Sequence, residues 1–330
     1  MGRIDVHCHA VPPGYRQYAL DNGQEKPDGM PAIPAWSAED HIALMKRLDI
    51  THSILSITSP GTHLKPNHDG YAAHMTRQTN EELSEICARS PSHFDFFASL
   101  PLPSIPDSVA EIDHALDNLG AVGFAILSNA NGVYLGDKAL DPVFEKLNSR
   151  EAIVFIHPTS CNLLGPGGQL QAGQPLEQYP RSMMEFMFDE TRAIANLLLS
   201  GTVAKYSKIT FIMSHCGCVL PSIVDRIGTF GALGSGENKG EEFRKSLRER
   251  FYFDLAGFPF PDQIHGLLRV LGKGGEQRLF YGSDYPFTPS NLVIDLANRM
   301  DNGSKECFDA DQRRAVYSGN AERLFGLEKS

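Results

Sequence analysis

Short apolar runs alternate with longer amphipathic stretches from one end of the chain to the other. The short runs predict eight strands: Ile4–His7, His52–Ile57, Phe94–Leu100, Ala121–Ile126, Ala152–Ile156, Lys208–Met213, Phe251–Leu255 and Arg278–Tyr281. The stretches between them predict helices over Ala38–Leu48, Gly70–Arg89, Ser104–Leu119, Asp141–Ser149, Met183–Ser200, Leu220–Phe230 and Asp262–Gly272. Strand followed by helix makes parallel βαβ units, and eight such units close into a (β/α)8, or TIM, barrel. The alternative is an open doubly wound sheet, but no GxGxxG follows the first strand to support it. Further helical stretches lie near Asn291–Met300, Asp311–Tyr317 and Asn320–Phe325. Two stretches read as long loops, Pro12–Ser37 after the first strand and Ser160–Pro180 after the fifth. Both follow a strand's C-terminal end, where a barrel enzyme carries its site. The Gly-rich segment Gly231–Gly240 reads as a surface excursion.

Composition narrows this picture. The chain has 330 residues, of which 42% are hydrophobic. That suffices for one large core, so residues 1–330 are expected to form a single barrel domain with C-terminal helices. The formal net charge of −10 repels nucleic acid and anionic membrane surfaces, so neither is an expected partner. No apolar run reaches the ~18 residues of a membrane span. The N-terminus passes directly into Arg3-Ile4-Asp5-Val6 without an apolar leader, and a cytoplasmic location is expected. The six cysteines form no dense framework and read as reduced thiols, and Cys216-Gly217-Cys218 has the wrong spacing for a CxxC motif.

Candidate chemistry gathers at strand ends. His7-Cys8-His9 ends the first strand, and residues i and i+2 of an extended chain point to one side, so both imidazoles can face one ion. His157 ends the fifth strand, His215 the sixth and Asp284 the eighth. A lone HxH fits two ordinary histidines, but five candidate ligands at the ends of four strands fit coincidence poorly. Nitrogen donors with one carboxylate suit Zn²⁺, with Mn²⁺ and Fe²⁺ as alternatives. Cys8 is expected to point away into packing. The other histidines, His41 among them, read as surface or capping residues. Trp36, Phe188, Tyr285 and Phe287 are candidates for an apolar wall around an aromatic ring, and each also fits ordinary packing.

The ordered set of segments resembles the aminocarboxymuconate-semialdehyde decarboxylase family within the amidohydrolase superfamily. It is carried by Ile4-Asp5-Val6-His7-Cys8-His9, Leu127-Ser128-Asn129 with Tyr134-Leu135-Gly136-Asp137, and Val154-Phe155-Ile156-His157-Pro158. It continues through Asp189-Glu190-Thr191-Arg192, Ile212-Met213-Ser214-His215-Cys216-Gly217 and Tyr281-Gly282-Ser283-Asp284-Tyr285-Pro286. Within the family, Val11-Pro12-Pro13, Trp36-Ser37 and Leu127–Asp137 look most like the members acting on 6-methylsalicylate. The resemblance implies His7, His9, His157 and Asp284 as metal ligands and His215 as a catalytic histidine beside them. It implies that Arg226 reaches a neighbouring subunit's site and meets the substrate carboxylate there, and hence a homodimer or a dimer of dimers. Without the resemblance Arg226 reads as a helix-surface charge. One departure is visible: relatives commonly carry His-x-Gly-Glu after the sixth strand, whereas this chain has His215-Cys216-Gly217-Cys218.

The implied reaction is metal-dependent, non-oxidative loss of CO₂ from an ortho-hydroxy aromatic acid, 6-methylsalicylate giving 3-methylphenol. The substrate would be a small aromatic carboxylic acid and the metal the sole cofactor, since no pyridoxal, thiamine or flavin fingerprint appears. Either Asp284 or His215 could deliver the proton. Two other readings stand beside it. One is a lactonase-like hydrolase, although the absence of a lysine after Gly123-Phe124-Ala125-Ile126 disfavours a bridged binuclear centre. The other is a non-catalytic barrel, against which no expected ligand position is missing.

Overall fold

In a computed structural model that describes residues 2–165, 169–231 and 238–327, eight strands form one parallel sheet in sequential order. They are β1 (Arg3–His9), β2 (Ile50–Ser56), β3 (Phe94–Ser99), β4 (Gly123–Leu127), β5 (Ile153–His157), β6 (Thr210–Met213), β7 (Phe251–Asp254) and β8 (Leu279–Phe280). A single parallel bridge, Asp5 to Tyr281, joins the last strand to the first. The seam is reinforced where Val6 N–H donates to Tyr281 O and Asp284 N–H donates to His7 O. The barrel is thus nearly closed, and its seam sits beside the site residues.

Two apolar layers hold it. Inside the barrel Ile4, Val6, Ile54, Phe97, Phe155 and Phe280 pack together. The terminal helix Asn320–Phe325 contributes to this interior: Ala321 packs there, and Phe325 lies 5.9 Å from the Phe97 ring and 6.2 Å from that of Phe280. The larger layer fills the space between strands and surrounding helices, as period-2 strands under period-3.6 helices require. No helix of the described residues is long and apolar enough to cross a membrane.

The structure corrects the loops. Pro12–Ser37 contains a helix over Pro13–Asp21, started by proline at its first position. Ser160–Pro180 contains an antiparallel hairpin of Asn162–Leu164 with Leu170–Ala172. A helix over Gly240–Arg250 was not expected, because its apolar signal is small: Phe243 and Leu247 are its large buried residues among many charges. Residues 232–237 of the expected surface excursion, and 166–168 of the second loop, lie outside the described residues.

Candidate metal centre and active site

β1 carries an irregularity that aims its histidines. Its pairing with β2 runs from Asp5 opposite Ser53 to Cys8 opposite Leu55, one residue more on β1 than on β2. Strict alternation from the inward-facing Ile4 and Val6 would turn His7 and His9 outward. The extra residue resets the phase, as a bulge does. Val6 packs in the barrel interior, and the His7 ring lies 5.0 Å from Phe155 and 5.2 Å from His157. Cys8 falls in the outer layer, its thiol donating to Ile54 O at 3.4 Å.

His7, His9, His157 and Asp284 converge so that one ligand atom from each lies within 4.8 Å of all the others. His9 Nε2 is 3.1 Å and His7 Nε2 3.5 Å from Asp284 Oδ1. The opposite ring nitrogens all face acceptors. His157 Nδ1 lies 2.7 Å from Pro158 O, a carbonyl that can only accept. Ser56 Oγ gives its proton to Cys8 O and so accepts from His9 Nδ1 at 2.9 Å. His7 Nδ1 faces the Asp254 carboxylate at 3.0 Å. These partners place each ring proton on Nδ1 and leave three Nε2 lone pairs, those of His7 and His9 turned toward Asp284 and that of His157 3.4 Å from Thr58 Oγ1. Both ring nitrogens of His7 are buried without a hydrogen bond of full geometry, Nδ1 lying against the Asp254 carboxylate at 3.0 Å and Nε2 against Asp284 at 3.5 Å. Lone pairs and a carboxylate gathered in a dry place repel one another unless a positive charge lies among them. The donor set therefore fits a divalent cation.

The electrostatics agree. Burial and the charge of neighbouring imidazoles hold His157 well below its ordinary range, and burial with His7 nearby lowers His215. Burial alone would lower His7 too, but the flanking Asp254 and Asp284 outweigh it and raise it to about 10. The two carboxylates thus call for one positive charge at His7, carried either as a proton or as an ion.

His215 sits where the backbone turns abruptly after β6. His215, Cys216, Gly217 and Cys218 all have positive φ, between 50° and 76°, an arrangement that persists only where its surroundings enforce it. Glu190 enforces it from the helix Glu185–Leu199: its buried carboxyl accepts from Ser214 N at 2.8 Å, Ser214 Oγ at 2.6 Å and Cys218 Sγ at 3.0 Å. Gln263 donates to His215 O at 2.8 Å and Cys218 O at 3.1 Å, and Asp254 Oδ1 accepts from His215 N at 3.2 Å. The His215 ring is thereby held 4.8 Å from that of His7. Cys218 thus gives its thiol proton to a glutamate from another helix.

His157, His215 and Asp284 open on a cavity of about 590 Å³, with Phe287 in its wall. The Phe287 ring lies 5.8 Å from that of His9. Trp36 is outside this lining; its indole N–H donates to His41 Nδ1 at 3.1 Å. Nor is His41 a surface residue, as its sequence context suggested. It is buried, with its ring against Phe94 and Tyr285, because Trp36 satisfies its nitrogen there. Arg226 is exposed on the helix Leu220–Phe230, its guanidinium 4.7 Å from the Phe230 ring and outside the cavity of its own chain. Residues that sequence reasoning passed over include Asp28, buried in the cavity wall and bonded to Ser160, and Thr288, which donates to Asp284 Oδ2 at 2.9 Å. Neither carries a local signal. Glu190 does: it is a charge on the buried face of a helix.

The comparisons agree with this architecture. The chain is 32% identical over 333 residues to the decarboxylase macB of Penicillium terrestre, covering 98% of this chain and 95% of that protein. It is 31% identical over 343 residues to a 6-methylsalicylic acid decarboxylase of Penicillium expansum, covering 98% and 96%. A dihydroxybenzoic acid decarboxylase from Polaromonas, solved with manganese and 2-nitroresorcinol, shares the fold with a TM-score of 0.78 at 20% identity, over 100% of this chain and 98% of that one. Matched by the amidohydrolase family over residues 4–327, and similar along nearly its whole length to decarboxylases within reach of that fold, the chain belongs to the amidohydrolase family.

Proposed function

We propose that this protein catalyses the non-oxidative decarboxylation of an aromatic acid bearing a hydroxyl ortho to its carboxylate, with 6-methylsalicylate, giving 3-methylphenol, as the first substrate to test. The observation that carries the reading is two chemistries meeting in one cavity: imidazole Nε2 atoms and a carboxylate converging on one point, beside aromatic walls such as Phe186 and Phe287. The similarity to decarboxylases over nearly their full length supports it. The reading takes residues 1–330 as one unit with a divalent ion as sole cofactor, Zn²⁺ first and Mn²⁺ as the alternative. Held by His7, His9, His157 and Asp284, such an ion supplies positive charge for the substrate's carboxylate and hydroxyl oxygens.

The residues of the chain then have distinct tasks. The aromatic wall orients the ring and excludes water. Direct loss of CO₂ would leave a carbanion in the ring plane, out of conjugation, so a proton must first reach the carbon that bears the carboxylate. Asp284 is poorly free for this, with Oδ1 turned to His7 and His9 and Oδ2 accepting from Thr288. His215 opens on the cavity and is the proton carrier in this reading: its lowered proton affinity makes the imidazolium, once formed from solvent, a ready donor. The C–C bond then breaks, CO₂ leaves, aromaticity returns, and His215 regains a proton from solvent.

The test measures CO₂ release from ortho-hydroxybenzoates and ring opening of lactones by metal-loaded protein of known elemental content. CO₂ without lactone hydrolysis is expected, and lactone hydrolysis without CO₂ would replace this reading with a hydrolase. His215→Gln should lower the rate by ~10²–10⁴-fold with metal retained.

A further inference from the structure

The cavity beside the metal ligands is much larger than a one-ring acid. Its volume is about 590 Å³, whereas a methyl-substituted hydroxybenzoate fills on the order of 150 Å³, about five water volumes at ~30 Å³ each. The remaining space is walled by Met30, Met183, Phe186, Met187 and Phe258. Among the described residues no lysine or arginine lines it, and its acidic lining residues are Asp28 and Asp284.

Polar side chains in the wall are already engaged. Gln263 donates to His215 O and Cys218 O, Thr288 donates to Asp284, and Ser182 Oγ lies 3.1 Å from Met30 Sδ. Little is left there to meet a second polar group on a ligand, and away from the metal-ligand cluster its own chain presents no cationic side chain in the described lining; Asp28 is already paired with Arg181 at 3.8 Å. Met183 and Phe258 are 58% and 59% exposed on the single chain, large apolar side chains at the edge of an apolar cavity. Methionine adapts its shape to an irregular apolar guest.

Resting on the decarboxylase reading above, we infer that the preferred substrates are ortho-hydroxybenzoates whose ring carries an apolar chain longer than a methyl. The chain lies along the methionine and phenylalanine wall toward Met183 and Phe258. A substrate with a second carboxylate is disfavoured by the same wall.

The test compares kcat/KM for CO₂ release by the metal-loaded full chain from 2-hydroxybenzoates carrying 6-methyl, 6-propyl, 6-pentyl or 6-(4-carboxybutyl) groups. A fully buried methylene contributes about fourfold and a half-buried one about twofold, so at least a ~10-fold rise from methyl to pentyl is expected. The carboxylate-ended chain should lose that rise. Met183→Glu and, separately, Phe258→Glu should each shrink the pentyl-to-methyl ratio severalfold. CO₂ from the methyl acid with a flat or falling series overturns the inference and leaves the decarboxylase reading standing. A pentyl preference untouched by both substitutions overturns the placement of the chain. No CO₂ from any of the acids overturns both.

Discussion

His7 Nδ1 lies 3.0 Å from Asp254 Oδ2, and both side chains are closed to solvent. Asp254 also accepts through Oδ1 from His215 N at 3.2 Å and Ala256 N at 3.0 Å. One carboxylate thus faces the Nδ1 of a proposed metal-ligand histidine and anchors the turn that carries His215. Asp254→Asn removes the charge and turns one acceptor into a donor. Loss of such a partner typically costs ~10–100-fold in metal affinity. Chelator competition on the purified variant should show that loss, and wild-type affinity would remove Asp254 from the account.

Metal should stabilise the fold, because the converging donors exist only once β1, β5 and the end of β8 are in place. With ion at about a hundredfold excess over its Kd, the unfolding free energy should rise by about 2.7 kcal/mol. Thermal unfolding of wild type with excess Zn²⁺ or Mn²⁺, against the same protein in chelator, reads this directly. His157→Ala should lose most of the increment. An equal increment in that variant would place the ion elsewhere.

Much of this was legible from the chain. The eight strands and most helices follow from periodicity, and the helices Ala38–Leu48, Asp141–Ser149 and Leu220–Phe230 have the expected bounds. That His7 and His9 share a side follows from alternation, but which side does not: the bulge opposite β2 decides it, and pairing register is a property of two strands together. Likewise nothing local to His41 announces that Trp36 would satisfy it in the core. Asp28 sits in a Gly- and Pro-rich stretch and becomes a wall residue only when the hairpin after β5 brings Ser160 to it. That Glu190, on another helix, would accept from Ser214 and Cys218 became visible only with tertiary packing.

Glu190 gives the fold a pH dependence of definite sign. Burial raises its carboxyl from an ordinary 4.5 to about 7, against the lowering effect of hydrogen bonds from Ser214 and Cys218. Below pH 4.5 both folded and unfolded chains hold the proton. Between there and about 7 the unfolded chain releases it while the folded chain keeps it. The Glu190 contribution to stability therefore falls as pH rises through that window, by about 1.4 kcal/mol per unit. Glu190→Gln cannot titrate. Urea unfolding of both proteins across this range should show the variant gaining on wild type up to about pH 7 and no further above it. A difference that stays constant with pH would show that Glu190 is ionised in both states.

Arg226 offers the sharpest test of a site shared between subunits. It stands exposed on its helix, outside the cavity of its own chain, so a role in substrate binding requires a neighbour's cavity. Arg226→Ala should then raise KM severalfold or more and leave metal content unchanged. His157→Ala should lose metal and activity. If each site takes its histidines from one chain and its arginine from the other, mixing the two defective proteins under conditions that exchange subunits makes one complete site in each mixed dimer. Random pairing of equal amounts in a twofold-symmetric dimer then restores about one quarter of wild-type activity. Activity that stays at the sum of the separate proteins, with subunit exchange verified by mass, would return Arg226 to the role of a surface charge stacked on Phe230.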